Sequence, residues 1–419
     1  MSISPPAAGV PRVMGSPLAP AKKRVPLYTS EFADDPHKAF RKMRQEHGTL
    51  VPVDLAPDVP ATLVIGYRTA LRIMYDDTHF PADPRRWQKT VDADCPVLPM
   101  MEYRPNALRE AGDAHTRLRR PIVAALEAVS LQAVRSAVER LAVPLINSFC
   151  EVGTADLRTQ YAFPLTFHTL TELMGISGET GRAAFEGMAA ILDATSAETA
   201  AEGNMRFAGA LMETIGQKRQ CPAADVTSAM MAHAVGLDDM EIVQEAALVY
   251  AAGTEPTTSL ITTTMRLMLT DTRFSEQVHG GALSTRDAID EVLFNDPPLP
   301  NFCTSYPRQP IMVDGMWLPA DQPVVISIAA CNADPAVTGP ERTGNRSHLS
   351  WGIGPHACMA DRLALTIANN AIDQLLDVLP DMQLAIPADQ LAWRPGIFHR
   401  ALTALPVRFP ATPPVPLPQ

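Results

Sequence analysis

The strongest constraint on the fold is where helical periodicity stops and restarts along the chain. Four long runs carry apolar residues every three or four positions: "HTRLRRPIVAALEAVS", "LQAVRSAVERLAVPLINSFCEVG", "TGRAAFEGMAAILDATS" and "AEGNMRFAGALMETIGQKRQ". They make the first two-thirds mostly helical. "STRDAIDEVLF" opens with a cap at Ser284 and Asp287 three residues on, and the texture then turns to proline-punctuated strands in "PIMVDGMWLPADQPVVISIAACNADP". Helix resumes from Cys358 onward. Strand pairs are expected at "LVPVDL" with "TLVIGY" and at "MQLAIP" with "ALPVRF", and Ser30 is the expected N-cap of the first helix. Without an internal repeat or linker, the pattern predicts one mainly α (α+β) domain over 29–409, with a large helical part and a smaller β-rich part. Proline-rich segments at 1–28 and 410–419 are expected to be a disordered arm and tail.

Composition narrows the function classes. The 419 residues are 46% hydrophobic and 19% charged, a globular balance. A net charge of −11 argues against nucleic acid or an anionic membrane as a general partner, while a local basic patch can still dock an acidic protein. No apolar run reaches the roughly 18 residues of a membrane span, and the N-terminus lacks the compact apolar core of a secretory signal, so a soluble cytoplasmic protein is expected. The six cysteines contain no C-x-x-C pair, which disfavours a zinc ribbon, a dithiol centre or a disulfide frame.

One cysteine stands apart. In "WGIGPHACMADRLALTIANN", Gly352 and Gly354 permit a tight turn or close approach to a flat ligand, and Cys358 is expected in the first turn of the following helix. N–H groups and the helix dipole there favour thiolate, the form that ligates metal. A single soft anionic sulfur suits an axial position of haem iron. From these local features alone, a buried thiol beside an ordinary glycine loop is the simpler reading.

The loop nevertheless resembles the haem-binding signature of the cytochrome P450 monooxygenases, with Trp351, Gly352, Gly354, His356 and Cys358 at the family spacing. Tryptophan replaces the usual phenylalanine, and Ala360 replaces a glycine. Other features recur in order over nearly the whole chain. "HTRLRR" is similar to the segment in which His115 and Arg119, one turn apart, would hold a haem propionate. "NADP" at Asn332–Pro335 is similar to an asparagine-x-Asp-Pro turn, His348 precedes the loop at the family spacing, and "MQLAIPADQLAWRPGIFHRALTALPVRF" resembles the C-terminal hairpin. The resemblance implies haem b (iron protoporphyrin IX) on Cys358, oriented by His115, Arg119 and His356, and a small organic substrate. Ferredoxin and ferredoxin reductase, or an equivalent, would supply electrons, with Arg117, Arg119 and Arg120 as docking candidates.

Three departures follow from the same resemblance. "LVYAAGTEPTTSLITTT" is similar to the central helix in which Ala-Gly-x-acid-Thr opens a groove for dioxygen; Ala252, Gly253 and Glu255 match, but Pro256 stands at the threonine. Pro256 should free a carbonyl near Ala252 and kink the helix. Thr257, rotated about 100° from its predecessor, would share proton handling with Glu255. Alternatively, Pro256 only kinks a core helix and Thr257 bonds the backbone. In the Glu-x-x-Arg helix Glu291 is present but Phe294 replaces arginine, so Arg342 or Arg346 is expected to pair with Glu291, unless it is solvated. A propionate-binding arginine falls on Ser305, unless Arg308 reaches it. With the missing arginine, "EPTT" and "NRSHLSW", the chain resembles an atypical actinomycete branch of the family encoded beside small-GTPase signalling operons.

The expected function is haem-thiolate monooxygenation. Alternatives are a haem-binding sensor, scaffold or partner subunit of the same fold, or a peroxide-using haem enzyme. Trp87, Met100, Met101, Phe302 and Phe398 are candidate substrate contacts, each of which can equally be packing. On this reading Cys358→Ser abolishes the thiolate haem absorption spectrum, whereas Cys303→Ser and Cys331→Ser preserve it; loss of the spectrum in either of the latter would contradict the ligand assignment.

Overall fold

A computed structural model describes residues 24–192, 197–275, 283–337 and 345–416, without side chains for 192, 197 and 275. The expected helices form as Gly112–Glu127, Leu131–Asn147, Gly178–Leu192 and Ala197–Gln220. The longest helix, Asp239–Thr270, runs 32 residues through the middle of the main core cluster and opens with a capping box between Asp238 and Glu241. It passes through Pro256 as one continuous element. Helix Thr285–Asn295 has the capping box expected at Ser284 and Asp287.

The sheet joins the two ends of the chain. Five strands pair in the order Val25–Pro26, Leu50–Asp54, Pro60–Val64, Val324–Ser327 and Asn301–Phe302. Pro60–Val64 lies antiparallel to Leu50–Asp54 but parallel to Val324–Ser327, a pairing that requires a long crossover and ties the N-terminal third to the C-terminal third. Strand Pro406–Arg408 pairs with Gln383–Leu384, as expected, and also with Thr154–Asp156. A second core cluster under the five-stranded sheet takes in Trp87, Met101 and Phe398, so these side chains are packing residues; Met100 is exposed and Phe302 half-buried.

Several local expectations are corrected. Thr29, not Ser30, caps the first helix, its hydroxyl accepting from the Phe32 N–H at 3.3 Å. The fold begins before residue 29: Val25 and Pro26 pair with Val53 and Asp54, and Leu27 is buried. The C-terminal segment is tethered as well, with the Thr412 N–H donating to Cys150 O (2.9 Å) and Asn147 bonding both the N–H and the carbonyl of Val415 at 2.8 Å. The rest of the expected arm and tail, 1–23 and 417–419, lies outside the described residues. No single described helix is long and apolar enough to cross a membrane; the pair Gly112–Glu127 and Leu131–Asn147, bent by 71°, passes by length and composition only.

Phe294, standing where an arginine was expected, is buried against the His348 ring, edge-on at 6.0 Å between centroids. Asn332 fastens this region through backbone groups. Its Nδ2 donates to Leu293 O (3.1 Å) and Phe294 O (3.2 Å), and its Oδ1 accepts from the Leu349 N–H (2.8 Å). The neighbouring Asp334 accepts from the Tyr67 N–H (2.9 Å). One fully buried amide thus links the Thr285–Asn295 helix to the segment entering the cysteine loop. Asn332→Ala strands the Phe294 carbonyl and the Leu349 N–H, leaves Leu293 O to the Ser350 hydroxyl alone, and is expected to cost about 3 kcal/mol, read as a lower denaturant midpoint with an unchanged slope. An unchanged midpoint would show that the link is not supporting the fold.

Candidate active site

The cysteine loop is held by its own backbone. Trp351 O accepts from the Cys358 N–H at 2.6 Å, and Gly352 and Gly354 both adopt left-handed φ, +63° and +71°. At Gly354 a Cβ would sit 2.3 Å from Met74 O, so the position excludes any side chain. The helix after the loop begins at Asp361, later than expected, with Ala360 at its N-cap. Cys358 therefore lies just ahead of the helix rather than in its first turn. What reaches its sulfur is the Ala360 N–H, at 3.4 Å.

Solvent touches Cys358, yet protein atoms crowd around it, as for a side chain lining a recess. Desolvation raises its thiol pKa, and Asp361 adds to this; the Ala360 N–H and the Arg119 charge act the other way. A thiolate at this position is therefore stabilised by a bound cation. Among the described residues, no group of three or more His, Cys, Asp or Glu side chains could hold a metal ion. A metal on Cys358 would have to bring its remaining ligands with it, as a macrocycle does.

Beside the loop, His115, His356 and Arg119 converge. The His115 and His356 rings lie 4.1 Å apart, and Arg119 Nη2 donates to Ala357 O at 2.5 Å. Both imidazole Nε2 atoms are buried without a hydrogen-bond partner. His356 is pushed down to about 3, first by burial and then by the charges of His115, Arg119 and Arg109. His115 is lowered by burial and by Arg119. Unsatisfied donors and positive charge gathered in one place fit an anionic, acceptor-rich group, which haem propionates supply.

The central helix presents a different face from the one expected. Ala251 and Ala252 are exposed in its middle and Pro256, one turn beyond Ala252, is half-buried, whereas Glu255, Thr257 and Thr258 are buried. Two residues apart on a helix means about 200° apart, so Glu255 and Thr257 do not share a face. Glu255 is held by Arg158, whose Nη2 lies 2.9 Å from both carboxylate oxygens; the Ser259 hydroxyl (3.2 Å) and Arg394 (3.7 Å) complete its surroundings. At Gly253 the missing Cβ leaves room for Leu170, whose Cδ1 would lie 2.9 Å away, so this glycine lets the two helices pack closely.

Other expected pairings move. Glu291 pairs with Arg273 at 2.7 Å, while Arg346 pairs with Asp290 at 2.8 Å and Arg342 lies outside the described residues. Arg308 is bonded to Asp83 at 2.5 Å, and Ser305 is buried. Arg117 is exposed but bound to Glu241 through both terminal nitrogens (2.5 and 2.8 Å), Arg119 turns inward, and Arg120 is exposed with no ion pair among the described residues. Sequence reasoning missed Arg158, Arg109 and Glu245, because each is defined by a tertiary partner.

No family model matches the chain. It is 26% identical to cytochrome P450 107B1 of Saccharopolyspora erythraea over 91% of this chain and 96% of the relative. It is 27% identical to the 6-deoxyerythronolide B hydroxylase of the same organism, over 91% and 98%. The fold superposes on a testerone-bound CYP154C4 from a Streptomyces species with a TM-score of 0.83, at 24% identity, covering 93% of this chain and 99% of that one. Over nine-tenths of its length the chain is similar to cytochrome P450s, and it shares their fold. Haem is accordingly the cofactor that this likeness implies, and the cysteine loop with its imidazole and guanidinium neighbours fits it.

Glu245 gives the site a pH signature. It is fully buried on the central helix, one oxygen accepting from the Ala107 N–H (2.7 Å) and the other without a partner. Desolvation foremost, with Glu241 adding, lifts its pKa from 4.5 to about 8, against the pull of the Ala107 N–H and Arg119. Because the folded value is the higher one, the unfolded chain loses this proton first. The group therefore carries no penalty below its unfolded pKa, and stability falls as pH rises from there towards the folded value. Glu245→Gln should gain stability relative to wild type, by a few kcal/mol, between about pH 5 and 8 in denaturant titrations. Parallel pH profiles would show that the carboxyl is not held neutral.

Proposed function

We propose that this protein is a haem-thiolate monooxygenase, carrying haem b on Cys358, that inserts one atom of dioxygen into a small organic molecule. The supporting observation is the accessible Cys358 sulfur, bonded by the Ala360 N–H and set beside the His115, Arg119 and His356 cluster. The hydroxylase name of the relative from Saccharopolyspora erythraea points the same way. Bound haem supplies the reductive activation of dioxygen, and one oxygen atom enters the substrate while the other leaves as water, at the expense of two electrons and two protons.

The residues of the chain divide the remaining work. Cys358 anchors the iron, and Gly354 lets the loop lie flat against the Met74 backbone. His115, His356 and Arg119 orient the cofactor through its propionates. Pro256 has no N–H to give the carbonyl four residues back, so Ala252 O is an acceptor on the accessible stretch of the central helix, suited to hold a water that delivers protons. Glu255 stands behind this stretch as a carboxylate neutralised by Arg158, and Thr257 packs inside the core. Electrons come from a ferredoxin and its reductase; Arg120, exposed and with no ion pair among the described residues, is a cation for an acidic partner on a protein whose overall charge is −11. The setting is cytoplasmic.

The sensor or scaffold alternative rests on the missing arginine at Phe294, and the Asn332 bonds provide the fastening that arginine would have given. The test is turnover of hydrophobic organic probes under isotopically labelled dioxygen with a surrogate ferredoxin and reductase. Label is expected in the product, and Thr257→Ala should leave product formed per oxygen consumed unchanged, whereas Pro256→Thr, which restores the helix N–H, should alter it. Product formed only with peroxide, or collapse of coupling in Thr257→Ala, would contradict this division of roles.

A further inference from the structure

Arg109 is a buried cation without a counter-charge. It is 6% exposed, and among the described residues no carboxylate lies within ion-pair distance of it. Its Nη1 donates to Cys303 O at 2.8 Å and its Nη2 to Met100 O. Two carbonyls satisfy two of its five N–H groups and neutralise nothing, and a lone buried charge is costly unless an anion joins it.

The placement of this guanidinium is specific. The carbonyl it grips belongs to Cys303, two residues before Ser305, where the family resemblance puts a propionate-binding arginine and this chain has a buried serine. The other candidate for that duty, Arg308, is committed to Asp83. Arg109 also stands three residues before the Gly112–Glu127 helix, which carries His115 and Arg119. The backbone leading to Arg109 is pinned: Ala107 N–H donates to Glu245 (2.7 Å), Leu108 N–H to Asn106 Oδ1 (3.1 Å) and Arg109 N–H to Asn106 O (3.1 Å). A cation delivered by a pinned loop costs little further ordering when it meets its anion.

We infer that Arg109 pairs with the haem propionate that the serine at position 305 is unable to neutralise, entering from the loop before the Gly112–Glu127 helix instead of from the strand side. The inference rests on the haem-thiolate reading, and concerns which residue pairs with the cofactor's carboxylate, not whether a cofactor binds.

The test is the rate at which holoprotein surrenders its cofactor to excess apomyoglobin, for protein loaded with haem and with haem dimethyl ester, whose esterified propionates carry no charge. Arg109→Gln is expected to speed release of haem roughly ten- to a hundredfold, the range of a hydrogen bond to a charged group, and to change release of the ester far less. Arg109→Lys should fall between, and Arg109→Gln with Ser305→Arg should recover retention. Equal acceleration with haem and ester would make Arg109 a support of the loop only, and overturn the inference; so would an unchanged release of haem. Should Arg109→Gln not fold, the comparison of haem with its ester in Arg109→Lys decides alone. Failure of the wild-type protein to carry haem at all would instead overturn the monooxygenase reading, and is seen before any variant is made.

Discussion

The bond from the Ala360 N–H to the Cys358 sulfur is the contact on which the rest depends. It exists because the loop before it can fold back: Trp351 O takes the Cys358 N–H, and the left-handed glycines let the chain turn where Met74 O leaves no room for a Cβ. Behind the loop, Asn332 ties Leu349 to the end of the Thr285–Asn295 helix, so the cysteine is set by a chain of backbone hydrogen bonds rather than by side-chain packing. Backbone bonds of this kind tolerate exchange of surrounding side chains, which is how Phe294 and Ala360 stand at positions the family usually fills otherwise.

The second constraint is charge in the interior. Glu255 is neutralised by Arg158, a buried pair whose single-partner removal would cost about 3–5 kcal/mol. Glu245 is instead kept protonated by burial around neutral pH, and Arg119 reaches the cysteine loop beside two unsatisfied imidazoles. Positive charge therefore gathers beside the cysteine loop, where it would suit the carboxylates of a haem, while the accessible stretch of the central helix, Ala251, Ala252 and Pro256, is apolar except for its carbonyls. The fold thus separates these cationic groups from the apolar stretch of the central helix.

What was legible in the sequence was local. Helical periodicity, the capping box at Ser284, the hairpin at Leu50–Val64 and the cysteine loop each follow from residues close together in the chain. The convergence of His115, Arg119 and His356 came from the family resemblance, and the geometry brings them together. What escaped was set by distance along the chain: Arg158 meets Glu255 across 97 positions, Ala107 meets Glu245 across 138, and Arg109 meets Cys303 across 194. Glu291 went to Arg273 rather than to an arginine near the loop because helix packing, not charge order, decides which guanidinium lies nearby. Proline content misjudged residues 25–27 and 412–415, since a segment without periodicity can still be hydrogen-bonded at a sheet edge or to a helix end.

The most direct test of the central claim is the carbon monoxide difference spectrum of the purified protein after reduction with dithionite. Thiolate ligation through Cys358 predicts a strongly red-shifted Soret band. A band typical of histidine or neutral-thiol ligation, or no haem absorption at all, would contradict it, and would leave the cysteine loop as inherited architecture without the chemistry assigned to it here.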